Sequence, residues 1–333
     1  MTVATLPLKP IDADLSQKLQ DTIEQRAAIV DVVGNLAAKG LKNVFFVGAG
    51  GSLICSYPAH YVLQARSEVP AFQVQSDELN CQVPRLMGEG SLVVLASYTG
   101  KTKETVAAAK TAKDTGATVI AVAKEGSPLA EAVDVAFKGK SDLFELLVAY
   151  AVLEATGDLT DAAGVEAAVQ ALPKAVFSAV EQSEQRLAEI ARAYQDAPFT
   201  YVLGSGPSYN WAYGFAMCFL QEMQWKQAAG FNSGEFFQGA FELVDQDSAV
   251  LLWLGEDASR PMGERARSFL ETYAPKHQVV DVRTLDLPGV PESLRADISP
   301  LVIDALANRL SQHYEAVRGH DLETRRYMFK VDY

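Results

Sequence analysis

Apolar positions along the chain fall into short continuous runs, separated by stretches with helical spacing. "NVFFVG" ends at Gly48 and leads into a glycine loop. Later runs lie near 71–74, at 92–96, within "GATVIAVA", at 249–254 ("AVLLWL") and at 278–282 ("QVVDV"). Continuous rather than alternating apolar runs predict strands buried on both faces, which is the pattern of a parallel sheet. The spacing between them predicts helices over 14–40, through "CSYPAHYVLQ", over 102–115 and over 300–317. Strands and helices in alternation predict an α/β fold with helices on both faces of the sheet.

The pattern then repeats. Residues 155–198 are rich in Ala, Glu and Gln and helical in spacing, with a soft break at "TGDLTDAAG", and beyond them the opening motif returns. "VFFVGAGGSLICSY" and "FTYVLGSGPSYNWA" both carry an apolar run into Gly-x-Gly-x-Ser: Gly48, Gly50 and Ser52 in one, Gly204, Gly206 and Ser208 in the other. The first glycines stand 156 positions apart, about one domain length, so one α/β unit is duplicated. The expected organisation is an N-terminal helical segment over 1–29, a first domain over 30–155, a helical connector over 156–190, and a second domain with a C-terminal tail over 191–333.

Composition narrows the function. The 333 residues are 49% hydrophobic, enough for two cores, and carry a formal charge of -13, from 42 acidic against 29 Lys and Arg side chains. That balance excludes nucleic acid as a partner, because phosphate contacts need Lys and Arg. Cys55, Cys81 and Cys218 are odd in number and widely spaced, and read as buried apolar residues in a reducing compartment. No signal segment is visible, and the longest apolar stretch, "LLVAYAVL", is far too short for a membrane span. A cytoplasmic protein without a membrane partner is expected. No His/Cys/carboxylate cluster has ligand spacing, so neither a metal nor another cofactor is expected.

The chemistry-bearing loops follow strands, where parallel sheets bind ligands. "SYTGKT" (97–102) offers the hydroxyls of Ser97, Tyr98, Thr99 and Thr102, a glycine for close backbone approach, and the start of a helix behind it. Together these describe an oxyanion cradle, although Thr99 or Thr102 could instead simply cap the helix. The loop is not a nucleotide P-loop, since Leu95 stands where its first glycine belongs, and the dinucleotide fingerprint fails at Leu53 and Tyr209. Asp77 and Glu78 lie at the distance such a fingerprint would want after the first loop. In "WAYGFAMCFLQEMQW" (211–225), Ala212, Phe215, Phe219 and Glu222 share one helical stripe, so a carboxylate falls among apolar side chains. Such a group is a raised-pKa general base, one half of a buried ion pair, or a helix-end residue facing water.

Strand-GxGxS followed by S-x-[ST]-G-x-T and "GATVIAVAKEGSPLAEAVD", all duplicated once, resembles the tandem sugar isomerase (SIS) family. "NSGEFFQGAFELVDQD" and "GEDASRPMGERARSFL" are similar to its fructoselysine-6-phosphate deglycases, and the tail "RRYMFKVDY" to the isomerase half of glucosamine-6-phosphate synthase. The resemblance implies two tandem subdomains, each a flavodoxin-like parallel sheet flanked by helices in three layers, and a homodimer. It implies a small anionic sugar as ligand, with Ser52, Ser97, Tyr98, Thr99 and Thr102 on its terminal anion. Gly50, Gly51, Lys101, Ser208 and Gln238 complete the expected binding set. It makes Glu222 the base that moves a proton between C1 and C2. The family's histidine sixteen residues on is Gln238 here, which cannot exchange a proton near neutrality. Lys330 stands where the synthase keeps its lysine, and His320 is the nearest histidine to serve ring opening, whereas His60, His277 and His313 read as packing or surface residues. With the histidine missing, the preferred reading is an aldose-ketose isomerase acting on a hexose with an anion at C6, either a phosphate or a sulfonate as in sulfoquinovose. The alternative is a deglycase of fructosamine 6-phosphates, and the third a non-catalytic sugar-phosphate sensor. Without a glutaminase half, ammonia transfer from glutamine is not expected.

Overall fold

The computed structural model describes residues 5–328 and 330–332. The chain packs as two compact units, one spanning Asp14–Pro173 and the other running from Lys174 onward with the N-terminal stretch up to Ala13.

The Asp14–Pro173 unit contains α1 (Leu15–Ile23), α2 (Arg26–Ala37), β1 (Asn43–Gly48), α3 (Gly51–Ile54), α4 (Tyr57–Arg66), β2 (Ala71–Gln75), α5 (Ser76–Cys81), β3 (Ser91–Ser97), α6 (Lys103–Asp114), β4 (Thr118–Ala123), α7 (Pro128–Ala132), β5 (Val135–Phe137) and α8 (Ser141–Thr156). Its strands are parallel in the order β2-β1-β3-β4-β5, the flavodoxin arrangement. β1 and β3 are buried along their whole length, as their unbroken apolar runs require. Phe45, Val47, Val93 and Leu95 pack against Ala108, Ala109 and Ala112 of α6, whose small side chains let the helix lie close to the sheet. The helix expected over 14–40 is two helices, because Gln25 interrupts it. Its side-chain amide donates to Lys138 O and accepts from Lys138 N, so the break ties α1 to the end of β5.

The long α9 (Ala162–Tyr194) begins in this unit and continues into the other beyond Pro173. There it is followed by β6 (Thr200–Gly204), α10 (Tyr209–Gly214), β7 (Ala228–Asn232), β8 (Ala249–Leu254), α11 (Arg260–Tyr273), β9 (Gln278–Asp281) and α12 (Arg295–Arg318). The four strands are again parallel, ordered β7-β6-β8-β9. β7, "AAGFN", carries no apolar run and was not expected; it fits beside β6 because Gly230 lets α10 approach, and a Cβ there would lie 2.5 Å from Tyr213 Cα. The helix expected over 211–225 is α-helical only to Gly214; Phe215–Met223 winds as a π-helix, with Gln224 N donating to Phe219 O five residues back at 3.0 Å. None of the cysteines is buried: Cys55 and Cys218 are partly covered and Cys81 is exposed at the end of α5, which corrects the sequence expectation. Among the described residues no helix is long and apolar enough to cross a membrane.

Residues 142–153 of α8 are all buried, Glu145 among them, and neither of its carboxylate oxygens has a hydrogen-bond partner among the described residues. Burial, and then the charge of Asp142, push its carboxyl well above the usual carboxylate range, which favours the neutral acid over the carboxylate. A carboxyl with a raised folded-state pKa gives its full contribution below the unfolded value near 4.5, and that contribution is lost as pH rises toward the folded value. Glu145→Gln imitates the neutral acid. Thermal melts of the variant are expected to lose part of the wild type's fall in stability as pH rises above 4.5; parallel curves would show that Glu145 is not the responsible group.

Candidate active site

The two Gly-x-Gly-x-Ser loops are built alike. Gly48 and Gly204 end β1 and β6 where the following turn presses on the strand, and a Cβ on either would lie within 2.9 Å of the next backbone segment. Gly50 and Gly206 adopt left-handed φ of 55° and 52°, conformations that L side chains resist. Each loop therefore turns at once into a helix.

In the Asp14–Pro173 unit this loop ends next to "SYTGKT", because β1 and β3 are neighbours in register (Val47 beside Leu95). Ser97 is buried, its Oγ accepts from Gly100 N at 3.2 Å, and it shares a hydrogen bond of 3.1 Å with Thr102 Oγ1. Thr102 precedes α6 without capping it through its side chain, so its hydroxyl serves the loop rather than the helix. Thr99 Oγ1 accepts from Lys101 N at 3.3 Å. Gly100, with φ of 65°, passes against Ser127, which caps α7, and its carbonyl accepts from Leu129 N at 3.0 Å. Ser127 was not singled out from sequence, although Ser-Pro before an apolar helix is a capping signal. Ser52 is half-buried, Gly50, Gly51, Thr99 and Lys101 are exposed, and Tyr98 is 86% exposed. The loop is thus rigid at Ser97 and Thr102 and open at its tip, as an anion cradle requires. Gln75 caps α5 through Asp77 N and Glu78 N, so those two acids begin a helix.

In the other unit the corresponding loops differ. Ser208 is buried with its Oγ unpartnered among the described residues, and the segment after β8 brings Asp257 against Gly206 and Gly255. Glu256 is held by Arg295 at 3.0 and 2.7 Å, and Arg260 by Asp281. An anion there would meet carboxylate where the first unit presents hydroxyls. Gln238 is exposed, in the short turn Glu235–Gln238 that follows β7.

Glu222 lies at the opposite edge of this sheet. From Ser208, at the carboxyl end of β6, α10 and the π-helix run back to the strand origins. There Lys226 Nζ donates to Gln195 O and Ala197 O, just before β6, and Thr200 N donates to Gln227 O. The structure therefore does not bring Ser208 or Gln238 to Glu222; within this unit it brings the C-terminal tail. Arg325 Nη2 reaches Glu222 Oε1 at 3.0 Å, and the two side chains are 13% and 25% exposed. Burial raises the Glu222 pKa; Arg325 opposes that shift and Glu323 adds to it. The stripe read from sequence holds for Ala212, Phe215 and Phe219, which are buried, whereas Glu222 emerges beside the tail as half of an ion pair. Arg325 was missed, although a carboxylate placed among apolar residues calls for a cation and the tail's arginine pair supplies one.

His320 sits edge-on to Trp225, 4.7 Å between ring centroids, and its carbonyl accepts from Gln224 Nε2 at 2.8 Å. Burial and then Arg318 lower its pKa, so the imidazole is neutral and a poor acid at neutral pH. Trp225, with φ of 52°, is the one non-glycine at positive φ among the described residues, and Arg326 stacks on its indole at 4.4 Å. Lys330 is exposed, its Nζ 2.5 Å from Arg325 O. His60 and His277 contact backbone carbonyls, and His313 lies 3.4 Å from Glu184.

Residues 40–148 match the SIS domain family model. The chain is 32% identical to the fructosamine deglycase FrlB of Bacillus subtilis (strain 168), over 94% of its own length and 99% of the relative's. It is 23% identical to the fructoselysine 6-phosphate deglycase of Escherichia coli (strain K12), over 95% and 94%. A Bacillus subtilis crystal structure described as a candidate phosphosugar isomerase superposes with a TM-score of 0.88 at 30% identity, over 96% of this chain and 100% of that one.

Hydrogen bonds to a charged ligand are each worth about 1.5 kcal/mol or more. Ser97→Ala and Thr102→Ala are each expected to weaken binding of inorganic phosphate by roughly ten-fold in calorimetry. Unchanged affinity in both variants would remove the cradle assignment.

Proposed function

The chain belongs to the SIS domain family, and from that premise we propose that this enzyme is a deglycase of fructosamine 6-phosphates, converting them to a hexose 6-phosphate and a free amine. The observation that carries the reading is Glu222: a half-buried carboxylate with a raised pKa, paired with a single arginine and set in a π-helix, a winding frequent at functional sites. The isomerase reading drawn from the sequence gives way because the 32% relative, aligned over nearly all of both chains, is a deglycase.

In this reading Glu222 takes a proton from C1 of the ketoamine. The electron pair forms the C1–C2 double bond and the carbonyl electrons move to O2. Glu222 returns the proton to C2, and the substrate's own ammonium gives one N–H proton to O2. An iminium at C1 results. Water adds there, and the amine leaves. No enzymic acid is required for the carbon step, so the glutamine at 238 is compatible with it.

A second reading keeps a specific observation in its favour. Gln238 replaces the family's proton-exchanging histidine, and an aldose-ketose isomerase on a hexose with a C6 phosphate or sulfonate needs only the first half of the same chemistry.

Incubation in D2O with fructosamine 6-phosphates, hexose 6-phosphates and 6-sulfo-hexoses separates the readings. Released amine with deuterium at C2 is expected; deuterium in a hexose without any amine substrate being consumed supports the isomerase. Glu222→Gln is expected to lower kcat about a hundred- to ten-thousand-fold, and the acidic limb of kcat/KM is expected above the ordinary glutamate value of 4.5. Full turnover by the glutamine variant would sink the assignment of the base.

A further inference from the structure

The guanidinium of Arg325 is only partly used. Nη1 donates to the Leu322 carbonyl and lies 3.4 Å from Thr324 O, which fixes the side chain to its own tail. Nη2 reaches Glu222 at 3.0 Å. Nε is buried and has no partner among the described residues. In a guanidinium, Nε–H and one Nη2–H leave the same edge side by side, as a fork that suits two neighbouring oxygens. Glu222 occupies one tooth of that fork, and the other is empty next to it. A buried donor left unpaired costs about 1–3 kcal/mol, a penalty usually traceable to a ligand or a function.

We propose that Arg325 is a second catalytic residue, its Nη2 fixing the Glu222 carboxylate and its free Nε–H donating to the substrate oxygen at C2 as charge gathers there. This rests on the reading of Glu222 as the base. When Glu222 removes the C1 proton, electrons shift onto O2, and a fixed cation one bond away from the base meets that charge. Arg325 gives up no proton, since guanidinium stays charged throughout the working pH range; it acts by field and position, while the proton on O2 comes from the substrate. Arg325 and Glu323 of the tail act directly on Glu222; near them among the described residues stand Lys330, which donates to Arg325 O, Arg318, which donates to Gln224 O, Lys226, and Arg326 and His320 against Trp225, while residues 215–223 carry no other charge.

Steady-state kinetics across pH test the assignment on the full chain, with the deglycase or isomerase substrate that the wild type turns over. Arg325→Gln is expected to lower kcat about a hundred-fold, the loss typical of one oxyanion donor. Its acidic limb is expected to move to higher pH, because the carboxylate loses its cation, while KM stays within about three-fold. Arg325→Lys should keep the limb in place yet lose at least about ten-fold in kcat, since an ammonium cannot present the fork. Wild-type kcat and an unmoved limb in Arg325→Gln, with Glu222→Gln inactive, overturn the role of Arg325 alone; a fully active Glu222→Gln overturns both readings. Should Arg325→Gln fail to melt cooperatively, the lysine variant decides, and wild-type kcat in it counts against the proposal.

Discussion

A strand in a parallel sheet can be followed by a parallel neighbour only if the chain first travels back the length of the sheet. That return divides each unit into two working edges. At the carboxyl ends of β1 and β3 the chain turns sharply, and backbone amides and hydroxyls gather at helix starts. At the amino ends the returning helices finish, and whatever they carry in their last turn is delivered there. The hydroxyl loop around Ser97 belongs to the first kind of place and Glu222 to the second. Holding an anion and moving a proton make opposite electrostatic demands, since one wants donors and the other a carboxylate kept partly out of water. The crossover offers both environments within a single kind of supersecondary unit, repeated once.

The repeat is uneven in consequence. Both halves keep the two glycines that make the strand-to-helix turn, because the backbone geometry is the same in each. The residues lining the turn have diverged: hydroxyls and Lys101 in one half, Glu256 held by Arg295 and Asp257 accepting from Ser259 N in the other. The glycines are constrained by covalent geometry, and the side chains beside them are free to be spent on binding or on ion pairs.

Much of this was legible beforehand for a simple reason. β1, β3, β4 and β8 are central strands buried on both faces, so their unbroken apolar runs announce them, and the glycine motifs mark where they end. β5 has three residues and β7 is "AAGFN" with a glycine at its centre, so neither presents a run to detect; both exist because a neighbouring strand offers hydrogen bonds. Ser97 and Thr102 could be chosen from the loop alone, since local sequence sets their geometry. Arg325 could not. It lies more than a hundred residues from Glu222, in a tail without periodicity, and its position depends on where α12 ends. The π-winding of Phe215–Met223 was not legible either, because an apolar stripe at 3.6-residue spacing announces only an ordinary helix.

That winding sets what kind of change this segment tolerates. Nine residues from Phe215 to Met223 are wound with bonds reaching five residues back, so the segment completes about half a turn less than an α-helix of equal length. Apolar side chains along it can be exchanged for others of similar volume and the path survives. Removing a single residue upstream of Glu222 is a different matter: with the winding held, everything beyond the gap turns by roughly a quarter of a circle, and the carboxylate leaves the face that meets its arginine. In this part of the molecule, then, the number of residues is a tighter constraint than the identity of the apolar ones.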